Sequence, residues 1–317
     1  MLLSTIALLA AIQTQGFQTD TTFTVPQGTR LHVENQGGDI TIRAWDRNQM
    51  RVQAVHSRRT RVNVQVTGAV VRLEAEADRG PANIVDYTIT VPAWMSLGLE
   101  GMYTVIDVTG VRGAITAQTL DGDITVKGPA ESVKLESVQG RLVAQGIRGS
   151  TTLNTVSESI EASDIQGDVL AETVSGNIVL YRIDAKVVEA ETVSGEIVLD
   201  GRIAEGGRYS LLTHSGNVMV TVPEGANATI ATATGTGGVR SSFALPQSDR
   251  ASRRRQTLRF GSGSATMELE SFSGSILLLR PAEMESRLEQ RRQAREARAR
   301  EKQKPEHDQG SFDLDRS

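Results

Sequence analysis

The sequence predicts an all-β chain: a parallel β-solenoid, β-helix-like, with coils of about 18 residues, an N-terminal β-strand cap and a charged C-terminal helix. Three observations carry that prediction. The phrase Thr-Val-Ser-Gly-x-Ile recurs, cleanest at residues 173–178 and 192–197, with looser copies starting at Thr119, Ser137, Thr155, Thr213 and Ser271. The apolar residue two places past the Gly falls at Ile124, Leu142, Ile160, Ile178, Ile197 and Val218, giving steps of 18, 18, 18, 19 and 21 residues. A near-constant period with variation confined to the gaps marks a repeat architecture. Finally, aromatics make up only 4 % of the 317 residues while Gly numbers 30, which suits an aliphatic core of short strands and frequent turns.

The elements follow in order. Leu2 to Ile12 is apolar but too short to span a bilayer, so residues 1–18 read as a secretory signal. The stretch has neither Lys nor Arg, and no Ala-x-Ala site precedes Thr19. A disordered or strand-forming N-terminus and a short retained anchor are the alternatives. Across 19–95, period-two runs such as 51–55, 62–66, 71–75 and 86–92 alternate apolar and polar, and 37–42 is a degenerate copy of the phrase. One wet face per strand predicts antiparallel strands capping the array, because a bare solenoid end exposes strand edges and core.

Residues 96–281 form the array itself. Each unit has one segment before the Gly and one after it. Alternation points Ile124/Val126, Leu142/Ala144, Ile160/Ala162, Ile178/Leu180 and Ile197/Leu199 inward, with a further apolar column at Ile147, Ile165, Ile183 and Ile203. Equivalent residues should stack at ~4.8 Å, aliphatic on aliphatic, with a Ser/Thr ladder along the turn at 119, 137, 155, 173, 192 and 213. Another apolar column lies two residues before the Gly at Leu120, Val138, Val156, Val174, Val193 and Phe272. A β-sandwich is the competing architecture, but sandwich loops rarely keep one length.

The turn itself carries Gly122, Gly140, Gly176, Gly195, Gly216 and Gly274, explained by positive φ or by close backbone passage between coils. Glu158 breaks the rule. From Ala244 to Arg259 the period is interrupted by a loop with a basic run, Arg253, Arg254 and Arg255. A solvated loop is the plain reading, contact with an anionic envelope polymer or lipid the sharper one. Residues 282–304 pair Glu283/Arg287 and Glu296/Arg300 at helical spacing, with only Met284 and Leu288 able to face a core, so a solvated helix is expected. Pro305 ends it, and 305–317 read as a disordered tail.

Composition narrows the chemistry. A net charge of −4 offers no bulk field for nucleic acid, and the absence of Cys excludes disulfides and thiolate metal sites. His32, His56, His214 and His307 have no metal-ligand spacing; His214 falls in the Leu120 column and reads as a packed substitute there. No Gly-x-Ser-x-Gly, Gly-Lys-Ser/Thr or His-Glu-x-x-His motif is present, so neither a catalytic nor a cofactor site is assigned. Asp121-Gly122-Asp123 suggests calcium, yet the equivalents of Asp123 are Arg141, Ser159, Asn177, Glu196 and Asn217, which breaks any carboxylate ladder. Asp107, Asp123, Glu161, Asp164, Glu172, Glu191 and Glu196 are scattered and form no evident pair for glycoside chemistry.

With the repeat and Val85-Asp86-Tyr87-Thr88-Ile89-Thr90-Val91-Pro92 both in view, the chain resembles the "putative adhesin" family of bacterial β-strand-repeat envelope proteins, a domain of unknown function. The Gly-rich 261–264 before Ser273-Gly274-Ser275-Ile276 is similar to that family's last unit. The resemblance covers roughly Leu31 to Leu279 and implies a non-enzymatic envelope module with no catalytic residues to transfer. The expected partner is an unidentified envelope polymer or protein, with no nucleic acid and no firm membrane span. A polysaccharide-acting β-helix enzyme and a self-assembling scaffold of bactofilin type are the alternative readings.

Overall fold

The structure, a computed structural model, describes residues 17–77, 80, 84–243 and 255–302. The expected signal segment, the disordered tail and most of the basic loop, including Arg253 and Arg254, lie outside the described residues. The strands in chain order are β1 (Phe17–Thr24), β2 (Arg30–Trp45), β3 (Gln49–His56), β4 (Thr60–Thr67), β5 (Val70–Ala77), β6 (Asp86–Pro92) and β7 (Ser96–Thr109). Then come β8 (Ile115–Asp121), β9 (Ile124–Lys127), β10 (Ser132–Gln139), β11 (Leu142–Gln145), β12 (Ser150–Thr155), β13 (Ile160–Gln166) and β14 (Val169–Ser175). The chain continues through β15 (Ile178–Ser194), β16 (Ile197–Ser215), β17 (Val218–Thr221), β18 (Ala228–Thr234) and β19 (Val239–Ser241). It ends with β20 (Arg255–Phe260), β21 (Ala265–Ser273), β22 (Ile276–Leu279) and the helix α1 (Pro281–Lys302).

Parallel pairing at the expected step builds two ladders. The first joins the segments preceding the turn, as in Thr119↔Ser137↔Thr155↔Thr173↔Thr192↔Thr213. The second joins the segments that follow it, as in Ile124↔Leu142↔Ile160↔Ile178↔Ile197↔Val218. The stacking of equivalent residues is therefore as the period predicts, except that Ile183 meets Gly201 and Ile203 falls on Ala185, so Ile203 leaves the column expected for it. The inward side chains of both ladders meet in a single aliphatic cluster that includes Leu135, Leu153, Ile160, Ile178 and Leu211, all fully buried, with Ile147, Ile165 and Ile183 beside them.

The Ser/Thr ladder is buried and bonded. Thr155 Oγ1 donates to the Gly140 carbonyl (3.0 Å), Thr192 to Gly176 (3.1 Å), Thr213 to Gly195 (2.9 Å) and Ser271 Oγ to Gly216 (2.7 Å). Each hydroxyl thus reaches the turn of the adjacent coil, contributing about 1 kcal/mol per bond.

The same carbonyls explain the Gly slot. Only Gly122 and Gly216 of the six have positive φ (139° and 150°). In all six, an added Cβ would collide with the slot carbonyl one coil away: Thr104 for Gly122, Gly122 for Gly140, Glu158 for Gly176, Gly176 for Gly195, Gly195 for Gly216 and Gly216 for Gly274. Close backbone passage is the constraint common to the column. At the odd coil, β12 stops at Thr155, while β10 and β14 run on to Gln139 and Ser175, so the turn carrying Glu158 departs from its neighbours.

The ends of the rod differ from the predicted succession. β2 pairs in parallel with β7 on one side and with β5 and β6 on the other, so it is a full coil lying inside the cap region. Alternation had suggested antiparallel strands throughout 19–95; antiparallel pairing is confined to β4 on β5, β3 on β6 and β1 on β3. Alternation marks a strand with one wet face whichever way its neighbour runs, so it could not tell the two apart. At the other end β21 and β22 insert between the coil of β16–β17 and that of β18–β19, and β20 closes the first ladder antiparallel to β18. About eleven coils therefore stack along about 50 Å at ordinary strand spacing.

Helix α1 is not free of the rod, as a solvated helix would be. Pro281 and Glu283 occupy its first turn, where a missing N–H and a negative charge are both favourable. Met284 is fully buried against Val198, Met219, Leu277 and Leu279 on the outer face of the second ladder, with Val179 and Leu288 packed alongside. Those outer residues interrupt the usual alternation, giving continuous apolar runs such as 276–279, the pattern of a strand covered on both faces.

A second corner column passes through Gly128, Gly146, Asp164 and Arg182, all with positive φ (136°, 73°, 57° and 53°). The two non-Gly members are held by each other, Arg182 Nε and Nη2 donating to the two carboxylate oxygens of Asp164, while the guanidinium lies 4.2 Å from the Tyr181 ring centroid. The Arg182 hydrogen bonds hold the Asp164 carboxyl below its usual value.

Two predictions follow from these corners. Gly195→Ala should lose about 1–3 kcal/mol of stability, the range for overpacking, whereas Glu158→Gly, at a slot whose φ is not positive, should bring no gain and cost up to about 1 kcal/mol in backbone entropy. Denaturant midpoints for the two variants check the pair, and a harmless Gly195→Ala would contradict the close stacking. Because the folded-state pKa of Asp164 is depressed, its contribution is present above the ordinary Asp value and is lost as pH falls through the depressed one. Asp164→Asn, which tolerates the left-handed corner, should flatten the loss of Tm between about pH 5 and pH 2.

Candidate binding surface

Alternation that buries Thr119, Ser137 and their equivalents turns the intervening side chains of the first ladder outward. The outward column nearest the Gly turn is apolar: Met102, Leu120, Val138, Val156, Val174 and Val193 in successive coils, then His214 and Phe272. The six aliphatic members are 39–49 % exposed, and Phe272 is 60 % exposed. His214 does fall in this column, but it is exposed and not packed in the core; its ring stacks on Phe272 with centroids 4.8 Å apart and planes within 7°. The neighbouring Thr213 points inward, and a strand cannot turn consecutive side chains the same way.

The next outward column is acidic. In register it reads Glu74, Glu34, Glu100, Gln118, Glu136, Asn154, Glu172, Glu191, Leu212 and Glu270. Cations answer it at one end: Arg72 bridges Glu34 (2.8 Å) and Glu74 (3.2 Å), His32 Nε2 lies 2.9 Å from Glu34, and Lys134 lies 2.9 Å from Glu136. Among the described residues, Glu172, Glu191 and Glu270, with Glu189 and Glu268 beside them, have no ion-pair partner. Asn154 Oδ1 is buried between Glu136 and Glu172 and accepts no hydrogen bond. A groove of about 520 Å³ separates the columns, with Met102, Leu120, Val138 and Val156 along one wall and Glu100 and Glu136 along the other.

The other sequence-derived candidates separate by location. Asp123 serves the turn: its Oδ1 accepts from the Arg141 backbone N–H (2.8 Å), as Asn177 Oδ1 does from Glu196 N and Asn217 Oδ1 from Ser275 N. The carboxylate or amide thus caps the coil above it. Among the described residues, no three His, Asp or Glu side chains are grouped to hold a metal ion. Asp107 and Glu161 face outward from the second ladder in separate coils, and Asp164 is engaged with Arg182. Of the scattered carboxylates, only Glu172 and Glu191 are brought side by side.

Arg255 opens β20, where it pairs with Ala233, itself in register with Glu270; Arg255 therefore sits at the end of the acidic face. Charged side chains on a terminal strand discourage edge-to-edge pairing, a role Arg255 and Arg259 both suit. The acidic column as a whole escaped the sequence reading. Its signal was present four residues before the Gly slot, at Gln118, Glu136, Glu172, Glu191 and Glu270, one alternation step from the apolar column.

Fold and surface together define a capped β-solenoid with one face ruled by continuous side-chain columns. The chain belongs to the Toastrack DUF4097 family, whose profile matches residues 28–279. Among solved structures, it is similar to a "putative adhesin" from Bacteroides fragilis at 13 % identity, covering 84 % of this chain and 100 % of that one with a TM-score of 0.41. A second "putative adhesin", from Parabacteroides distasonis, is 12 % identical over 83 % of this chain and 97 % of the other, with a TM-score of 0.38. A "putative cell adhesion protein" from Clostridium sporogenes is 11 % identical over 83 % and 100 %, with a TM-score of 0.22. No curated protein matches. Among the described residues, no helix is long and apolar enough to cross a membrane.

Like charges stacked at strand spacing repel, at a cost of about 0.2–1 kcal/mol per close pair. Glu172→Gln or Glu191→Gln should therefore raise stability by that amount, read as an increase in Tm. An unchanged or lowered Tm would mean that the two carboxylates do not burden one another.

Proposed function

We propose that this protein is a non-enzymatic, exported module of the bacterial envelope that binds a partner through the outer face of its first ladder. One observation carries the reading. Aliphatic side chains in six successive coils are left in solvent beside a continuous carboxylate column, on a scaffold that buries its other aliphatic columns. Contiguous exposed apolar surface of that kind marks interaction sites in soluble proteins. The recurrence of the face from coil to coil suits a long partner held by many similar contacts, as in other solenoids.

Export is proposed from the apolar N-terminal stretch and from the absence of Cys. Antiparallel strands finish both ladders at the N-terminal end and the first ladder at the other, where β19 pairs only with β22 among the described residues; three covered ladder ends favour a discrete module over an end-to-end scaffold. Contact between the basic run Arg253, Arg254 and Arg255 and an anionic partner is a separate proposal from the sequence.

Fractionation with N-terminal sequencing of the mature protein tests export: a processed chain in the envelope fraction is expected, and a cytosolic chain with Met1 intact would refute it. For binding, the full chain and a Val138→Ser/Val156→Ser/Val174→Ser variant are compared for retention on isolated envelope material. Retention should fall at least about tenfold in the variant while Tm is held, since the three side chains are exposed and substitutions there cost little stability.

A further inference from the structure

The geometry points to a cationic, amphipathic polypeptide segment as the partner, lying along the rod with its aliphatic side chains on the Leu120–Val193 ridge and its Lys or Arg side chains on the adjoining carboxylates. This rests on the working surface proposed above and adds the chemistry of what docks there.

Charge complementarity is the first argument. Seven of the ten positions in the column beside the ridge are Glu. Toward its C-terminal end, Glu172, Glu189, Glu191, Glu268 and Glu270 have no ion-pair partner among the described residues. Neighbouring carboxylates one strand spacing apart repel, and a cation placed between two of them is attracted by both. Anionic polymers and anionic lipid surfaces meet repulsion at the same place.

Hydrogen-bonding capacity gives a second, independent argument. Three side chains of the groove, Glu34, Glu100 and Glu136, can only accept when ionised. Lys and Arg bring three and five N–H donors and no acceptor, so they match these carboxylates better than a neutral glycan hydroxyl, which brings one donor and two acceptor lone pairs. The ridge, for its part, is aliphatic from Met102 to Val193, whereas aromatic character is confined to His214 and Phe272 at its end.

Dimensions supply the third. Five coils from Leu120 to Val193 span about 19 Å at ~4.8 Å per coil. An α-helix of about 13 residues covers that distance, and its 5.4 Å pitch drifts from the coil spacing by only about 2 Å over the whole length. Apolar residues at i, i+4, i+7 and i+11 would follow the ridge, leaving cations at the flank to reach the carboxylates.

The experiment uses the full chain and a fluorescein-labelled 14-residue peptide of Leu and Lys with all Leu on one helical face. Its controls are the same composition scrambled to remove amphipathicity, a Leu/Glu counterpart, and a labelled neutral β-linked glucan oligomer. Fluorescence anisotropy should show the Leu/Lys helix binding at least tenfold more tightly than the scrambled peptide, with affinity falling as salt is raised. Glu172→Gln/Glu191→Gln and Val138→Ser/Val156→Ser/Val174→Ser should each weaken it at least tenfold. Glu172→Lys/Glu191→Lys should transfer the preference to the Leu/Glu peptide, a gain that a misfolded chain could not produce. Equal binding of amphipathic and scrambled peptides, or no effect of the face variants, overturns the inference. Glucan or envelope binding that is lost in the Val triple variant while the peptide fails would overturn the partner chemistry and leave the working surface standing. Failure of every probe, together with unaltered envelope retention, would remove both.

Discussion

Each turn of the rod offers its slot carbonyl to the next turn, and that carbonyl occupies the space where a Cβ would stand. The same oxygen accepts the hydroxyl of a buried Thr or Ser, as with Gly176 and Thr192 or Gly195 and Thr213. One atom thereby imposes Gly at one position of the repeat and a hydroxyl three residues before it. The phrase that recurs in the sequence is the record of this contact. Everything else in the coil is placed relative to it, because a strand anchored at its turn has no freedom to slip by one residue without reversing its faces.

From that anchor the two surfaces diverge. On the second ladder, outward positions at Val179, Val198, Met219 and Leu277 are apolar and are covered by Met284 and Leu288 of α1. On the first ladder, the apolar column at Leu120 to Val193 has no such cover within the described residues. A chain that shields one exposed aliphatic strip with its own helix, and leaves another open beside a row of carboxylates, distinguishes packing from presentation. The stacked Glu side chains oppose folding modestly. That is a cost more readily understood on a surface that meets cations than on an idle one.

Much of the fold was legible because its constraint is local and repeated. The 18-residue step, the inward Ile and Leu columns and the buried Ser/Thr ladder all follow from residues that recur at one interval. The two ends were not legible. That β2 lies between β7 and the pair β5 and β6, and that β21 lies between β16 and β18, depends on which edge a returning chain meets. The face was half legible: the apolar column was noted and His214 was read as packed within it, but the column's outward direction was not drawn, and the Glu column one alternation step away was passed over. A side chain two residues before the Gly must point opposite to the Thr beside it, so the direction was available from alternation alone.

By itself, then, the sequence determined the coil: its length, its turn chemistry, its core columns and the register in which they stack, since each depends on contacts between equivalent residues. Tertiary structure alone decided the order in which the terminal coils are laid down, the seat of the helix on the second ladder and the placing of β21, with Glu270, beside β16. Those features join residues with no common period, and the energy that selects them comes from surfaces that exist only once the rod has formed.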